Sequence, residues 1–118
     1  MIMTPEEHVH GALSHLAGGR IFPDLAEVDT PTPYITYQVV GGEPMNFLTG
    51  DRPDKQRVRI QVNVWATRRI EASEIGMLVE DTLRSASALQ VEVATGRVAT
   101  YDEGTDRRGV MQDFMLFC

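Results

Sequence analysis

Nine residues, Arg57 to Trp65, restrict the fold of this chain more than any other stretch. They read Arg-Val-Arg-Ile-Gln-Val-Asn-Val-Trp, with Val58, Ile60, Val62 and Val64 at every second position. Strict period-two alternation with β-branched residues on the apolar side predicts a half-buried strand. A helix would scatter those four aliphatics around its axis. In a strand they form one row that the rest of the chain has to cover, and Arg57, Arg59, Gln61, Asn63 and Trp65 form the opposite row.

The 118 residues fit a single domain, 1–118, large enough for one sheet with a layer of helices on it. No apolar run reaches the roughly 20 residues that span a bilayer. The N-terminal residues Met-Ile-Met-Thr-Pro-Glu-Glu lack the basic and apolar parts of a signal peptide, so residence in the cytosol is expected. Seventeen acidic residues against eleven basic ones leave a net charge of −6. That balance opposes sequence-specific nucleic-acid binding, which needs a basic footprint. It suits a surface past which DNA slides without sticking, because like charges repel. The single cysteine, Cys118, has no second thiol for an intramolecular disulfide or a thiolate metal site.

Thr4-Pro5-Glu6-Glu7 predicts a helix start, with Thr4 as cap, Pro5 in the first turn and Glu7 closing a capping box. Val9, Ala12, Leu13 and Leu16 continue it as one apolar stripe, and Gly18-Gly19 ends it. His8, His10 and His15 lack the i, i+4 spacing of a helical metal pair and read as solvated or half-buried helix residues. From Arg20 to Pro33 a connector is expected, irregular because of Pro23, Pro31 and Pro33, with Ile21, Phe22 and Leu25 tucked under the sheet edge. Tyr34 to Val40 predicts a strand with Ile35, Tyr37 and Val39 on one face.

A loop at about 41–56 holds Gly41, Gly42, Pro44, Gly50 and Pro53 among charges, and also Met45, Phe47 and Leu48. Those three apolar residues either extend the hairpin and pack on the sheet edge or form an arm that docks on a partner. After Trp65 a second helix is predicted, with Ile75, Leu78, Val79, Thr82, Leu83 and Ala86 as its buried stripe and Ile70 as a candidate start. Glu71, Glu74, Glu80 and Asp81 form its polar back, and Gly76 allows a close approach to the sheet. Leu89 to Val93 is a short extended segment or turn lead-in. Arg97 to Tyr101 and Val110 to Phe117 are strands. The architecture expected is therefore α+β, an antiparallel sheet of about four strands with two helices on one face.

The last strand carries apolar residues on both faces. Val110, Phe114 and Leu116 with Gln112 are assigned to the core, since the other choice would bury Asp113. Met111, Met115 and Phe117 then join Trp65 on a face without helices, and an open apolar face is a candidate association surface. The candidate interface residues are Met45, Phe47, Leu48, Arg57, Arg59, Trp65, Met111, Met115 and Phe117. Phosphate-cradling, nucleophile-elbow and metalloprotease motifs are missing, so no catalytic, cofactor or metal site is assigned.

Several segments resemble the tail completion (tail-to-head joining, tail terminator) proteins of long-tailed phages and prophages. They are Pro31-Thr-Pro-Tyr-Ile-Thr-Tyr37, the glycine-containing loop, Arg57 to Ala66, the helix from about Arg69 to Ser85, and Asp113-Phe114 in the last strand. The resemblance implies a non-catalytic virion assembly protein, made in the host cytoplasm and ending in the tail. It implies a homo-oligomeric ring, commonly hexameric, that caps the tail tube and meets the head connector, with DNA passing through its lumen unbound. From the residues alone, a ligand-binding or enzymatic α+β domain using a cleft beside the 41–56 loop, or an adaptor unrelated to phage, stays open.

Overall fold

The structure is a computed structural model that describes residues 3–44, 50 and 55–118. Met45, Phe47 and Leu48 lie outside the described residues. In the first helix, α1 (Pro5–Leu13), the Thr4 hydroxyl accepts from the Glu7 N–H while the Glu7 carboxylate accepts from the Thr4 N–H, each at 3.2 Å. The predicted capping box is formed. The helix stops at Leu13, short of the glycines. Gly18 and Gly19 take positive φ within a 3-10 turn at Ala17–Gly19, and that turn brings Leu16 back into the core.

The connector is not irregular throughout. Residues Ile21–Pro23 form a short strand, β1, parallel to the start of β2 (Tyr34–Glu43) with Ile21 opposite Ile35. Pro23 fits because it ends an edge strand, where a missing N–H costs no ladder bond. Ile21 is buried and Phe22 half-buried, whereas Leu25 is 84% exposed instead of lying under the sheet edge. In β2 Ile35 and Tyr37 are buried as expected. Val39 is exposed, because the register shifts at a bulge between Val39 and Gly41.

Next come β3 (Arg57–Ala66), α2 (Arg69–Ser85), β4 (Gln90–Val93), β5 (Val98–Asp102) and β6 (Arg107–Phe117). Burial alternates without a break along β3, with Val58, Ile60, Val62, Val64 and Ala66 inward. β3 lies at the centre of the sheet, antiparallel to β2 on one side and to β6 on the other. Both β4 and β5 pair with β6, at Phe114–Phe117 and Arg107–Met111 respectively. Between them the Ala94 and Thr95 N–H groups both donate to the Asp113 carbonyl, at 3.0 and 3.3 Å. They are thus two pieces of one interrupted edge strand. The sheet is six-stranded and mixed, ordered β1-β2-β3-β6-β4 with β5 also on β6, rather than a four-stranded antiparallel one. The two extra strands are three and four residues long, too short for an alternation to stand out.

Both helices pack on one side of the sheet. Val9 and Leu13 of α1 and Val79 and Leu83 of α2 join Ile35, Ile60, Val62, Val64, Phe114 and Leu116 in a single core. Val110, Phe114 and Leu116 face that core, as Asp113 required. The contact stripe of α2 differs from the expected one. It is Ala72, Gly76, Val79 and Leu83, while Ile70 and Leu78 are exposed. Small residues set it: a Cβ on Gly76 would stand 3.1 Å from Cγ1 of Val110, so the helix rests almost directly on β6.

Glu80 also departs from its expected place on the polar back of α2. Its carboxylate accepts from Gln112 at 2.9 Å, Arg97 at 2.8 Å and Arg84 at 3.1 Å. Gln112 is buried among the aliphatics of β6, and this network gives its amide nitrogen charged and carbonyl acceptors, Thr95 O being the second at 3.0 Å. The Gln112 bond, with Arg84 and Arg97 beside it, holds the Glu80 carboxyl below its ordinary range despite partial burial.

Candidate functional site: the face without helices

Antiparallel pairing places the odd-numbered residues of β3 and β6 together on the side away from the helices. Their registers define five cross-strand rows. At one end Tyr34, Trp65, Gly109 and Thr100 lie side by side, followed by Thr36, Asn63, Met111 and Val98. Gln38, Gln61 and Asp113 form the middle row. Gly41, Arg59, Met115 and Glu92 come next, then Glu43, Arg57, Phe117 and Gln90. Of the sequence-assigned interface residues, Arg57, Arg59, Trp65, Met111, Met115 and Phe117 are therefore brought onto one surface.

The surface is not a plain apolar patch. Arg57 reaches Glu43 at 3.3 Å and Glu92 at 2.8 Å, so one guanidinium ties β2 and β4 across β6. Arg59 grips Asp113 at 2.8 Å on the diagonal between neighbouring rows. The Lys55 ammonium sits 5.6 Å from the Phe117 ring centroid. These contacts leave Met115 and Phe117 half-buried among charges that largely neutralise one another.

The opposite end is more apolar. Trp65 lies against Gly109, with Met111 and the exposed Val98 beside it. The Arg107 guanidinium stacks 5.1 Å over Tyr34 and donates to the Thr30 carbonyl at 2.9 Å, which anchors the loop after β1 to this end. Sequence reasoning missed Tyr34, Val98 and Arg107 as members of the face. A strand beginning at Arg107 would have revealed the last of these by parity alone.

Arg69, at the start of α2, donates to the backbone carbonyls of Gly109 and Thr100, the latter at 2.6 Å, and so fastens the helix to both strands. Elsewhere, Nδ1 of His10 is hydrogen-bonded to the Tyr37 hydroxyl at 3.1 Å, a tertiary contact of α1 with β2. Burial, with Glu6 and Asp24 nearby, pushes the Tyr37 phenol above its usual pKa. The Cys118 and Gln56 backbones exchange hydrogen bonds of 3.1 and 2.8 Å, prolonging the β3–β6 ladder, and burial pushes the Cys118 thiol up. Among the described residues no group of three or more His, Cys, Asp or Glu side chains is placed to hold a metal ion, and no helix is long and apolar enough to cross a membrane.

Fold and face together define a small two-layer α+β protein in which neither described helix packs on one of the two sheet surfaces. The chain belongs to the phage tail completion protein gp17 family, whose model matches residues 9–117, and so has a part in virion assembly. A comparison with curated proteins gave no match.

Proposed function

We propose that copies of this chain form a ring, commonly a hexamer, that caps the finished tail tube and joins it to the head connector. The observation that carries this is the face holding Trp65, Met111, Met115 and Phe117, which no segment of the chain's helix layer covers. Half-exposed aromatic and methionine side chains with arginines are what protein interfaces are enriched in. The partners are other copies, the tail tube protein and a head-completion protein. A net charge of −6 suits a lumen through which DNA passes without binding. The protein is made in the host cytoplasm and ends in the virion tail, acting by contact rather than by catalysis.

The test is assembly in its absence. Phage particles made without this chain should accumulate as separate heads and tails, and adding the purified chain should join them, with rings visible at tail ends by negative-stain imaging. Heads and tails that join normally without it would overturn the proposal.

A further inference from the structure

Every described edge of the sheet but one is blunted. β1 has three residues and ends at Pro23, which has no N–H to offer. The outer side of β2 beyond Tyr37 carries a bulge between Val39 and Gly41 and then Gly42. β4 has four residues and stops at the break where Ala94 and Thr95 share the Asp113 carbonyl. Interruptions of this kind keep a free edge from pairing with other chains. β5 has none of them: Val98-Ala99-Thr100-Tyr101 runs without proline, glycine, bulge or charge. Val98 is 48% and Tyr101 52% exposed. The bonding direction of β5 follows from its neighbours. Cys118 exchanges backbone bonds with Gln56 on the β3 side, so the odd-numbered residues of β6 bond the other way, as Asp113 does. Val98, Thr100 and Asp102 therefore bond to Met111, Gly109 and Arg107, and the N–H and C=O groups of Ala99 and Tyr101 point outward. Among the described residues no other strand or loop meets them.

We infer that β5 of a second copy covers this edge, antiparallel to it about a two-fold axis at Thr100. The backbone selects an extended strand, since only another strand offers donors and acceptors at the same alternate spacing. Within this chain β5 is the described edge able to serve, because the devices on β1, β2 and β4 obstruct theirs. Centring on Thr100 is the register that uses the whole strand. Ala99 of each copy then exchanges both backbone bonds with Tyr101 of the other, and Val98 lies opposite Asp102. No like charges meet. The Asp102 carboxylate is turned back onto the Gly104 N–H and the Thr105 hydroxyl, and the Tyr101 hydroxyl onto Asp106, so neither side chain obstructs the axis. Thr100 supplies an independent observation. Its hydroxyl is buried beside Gly109 and has no hydrogen-bond partner among the described residues, a costly state. In the pair the two Thr100 side chains face each other across the axis. Rotation about χ1 brings their hydroxyls together, a favourable cross-strand contact.

A ring whose copies all point the same way contains only heterologous contacts, whereas this pair is isologous and closed. The pair is therefore a contact that such a ring does not contain, a form of the free chain before assembly. Its test follows the purified chain by sedimentation over a concentration series, with amide hydrogen exchange read residue by residue. The wild type is expected as a dimer, with exchange at Ala99 and Tyr101 slowing as concentration rises. Ala99→Pro removes an outward N–H and no β5–β6 bond, so it is expected to keep a native circular dichroism spectrum and to weaken the dimer about tenfold or more. Ala99→Ser keeps that N–H and is expected to dimerise like the wild type. An Ala99→Pro chain that dimerises as well as the wild type overturns the pairing, and so does a dimer in which the Ala99 and Tyr101 amides stay unprotected. Should Ala99→Pro not fold, the exchange measurement on the wild type decides alone. A wild-type chain that stays single, or that assembles only as rings, overturns the pairing as well. The ring itself is judged separately, by the joining of heads to tails, and stands under each of these results.

Discussion

Trp65 and Gly109 are cross-strand partners, and the indole lies so close over the glycine that a Cβ there would stand 2.8 Å from Cε3. The same Cβ would collide with the Thr100 hydroxyl on the neighbouring strand. No side chain fits between Trp65 and β6, so the glycine is a steric requirement of the helix-free face. Gly109→Ala is expected to cost about 1–3 kcal/mol through overpacking. Urea unfolding followed by the fluorescence of Trp65, the chain's one tryptophan, measures it directly. An unchanged midpoint and emission maximum would show that the indole has room to move.

The two carbonyls held by Arg69 belong to Gly109 and Thr100, on adjacent strands. Charge-assisted bonds to buried acceptors contribute about 1.5–3 kcal/mol, so Arg69→Ala should lower stability by an amount in that range. Arg69→Lys should recover only part of it, since one ammonium lacks the planar fork that spans two acceptors. Full recovery in denaturant melts would mean that the charge alone matters.

Stability should fall with acid in a way that depends on Glu80. Its pKa is lowered in the folded chain, first by the Gln112 hydrogen bond and then by Arg84 and Arg97. A group with a depressed folded pKa stabilises the fold above its unfolded pKa, and that contribution disappears as pH drops through the folded value. Thermal melts below the ordinary carboxylate range should therefore show a declining limb that Glu80→Gln flattens. Parallel limbs in the two proteins would remove Glu80 from the acid response.

Two helical glycines should behave oppositely. Gly11 in α1 has open space where a Cβ would go, so Gly11→Ala should stabilise by about 0.5–1 kcal/mol through helix propensity. Gly76 in α2 faces Val110, and Gly76→Leu should destabilise by about 1–3 kcal/mol by forcing the helix off β6. Calorimetric melting temperatures should move up for the first variant and down for the second.

Much of this architecture was legible in local patterns. The alternation of Arg57–Trp65, the Thr4–Glu7 capping box and the core assignment of Val110, Phe114 and Leu116 all appear in the structure as read. The family resemblance, carried by Pro31–Tyr37 and Val64-Trp65-Ala66, agrees with the match over residues 9–117. What was not legible is instructive. The buried stripe of α2 runs through Ala72 and Gly76 rather than Ile70 and Leu78, because closeness of approach to β6 outranked hydrophobicity. Leu25 was expected to be covered and is exposed, since β1 ends at Pro23 and the chain turns away.

By itself the sequence determined which residues alternate, where the first helix begins and which face of each long strand seeks cover, because those depend on periods of two and 3.6 along the chain. Only the tertiary structure decided that Arg57 reaches Glu92, that Arg59 meets Asp113 and that Glu80 serves a buried glutamine. Those pairs are 35, 54 and 32 residues apart, joined by strand register and helix placement, and no local period carries that information.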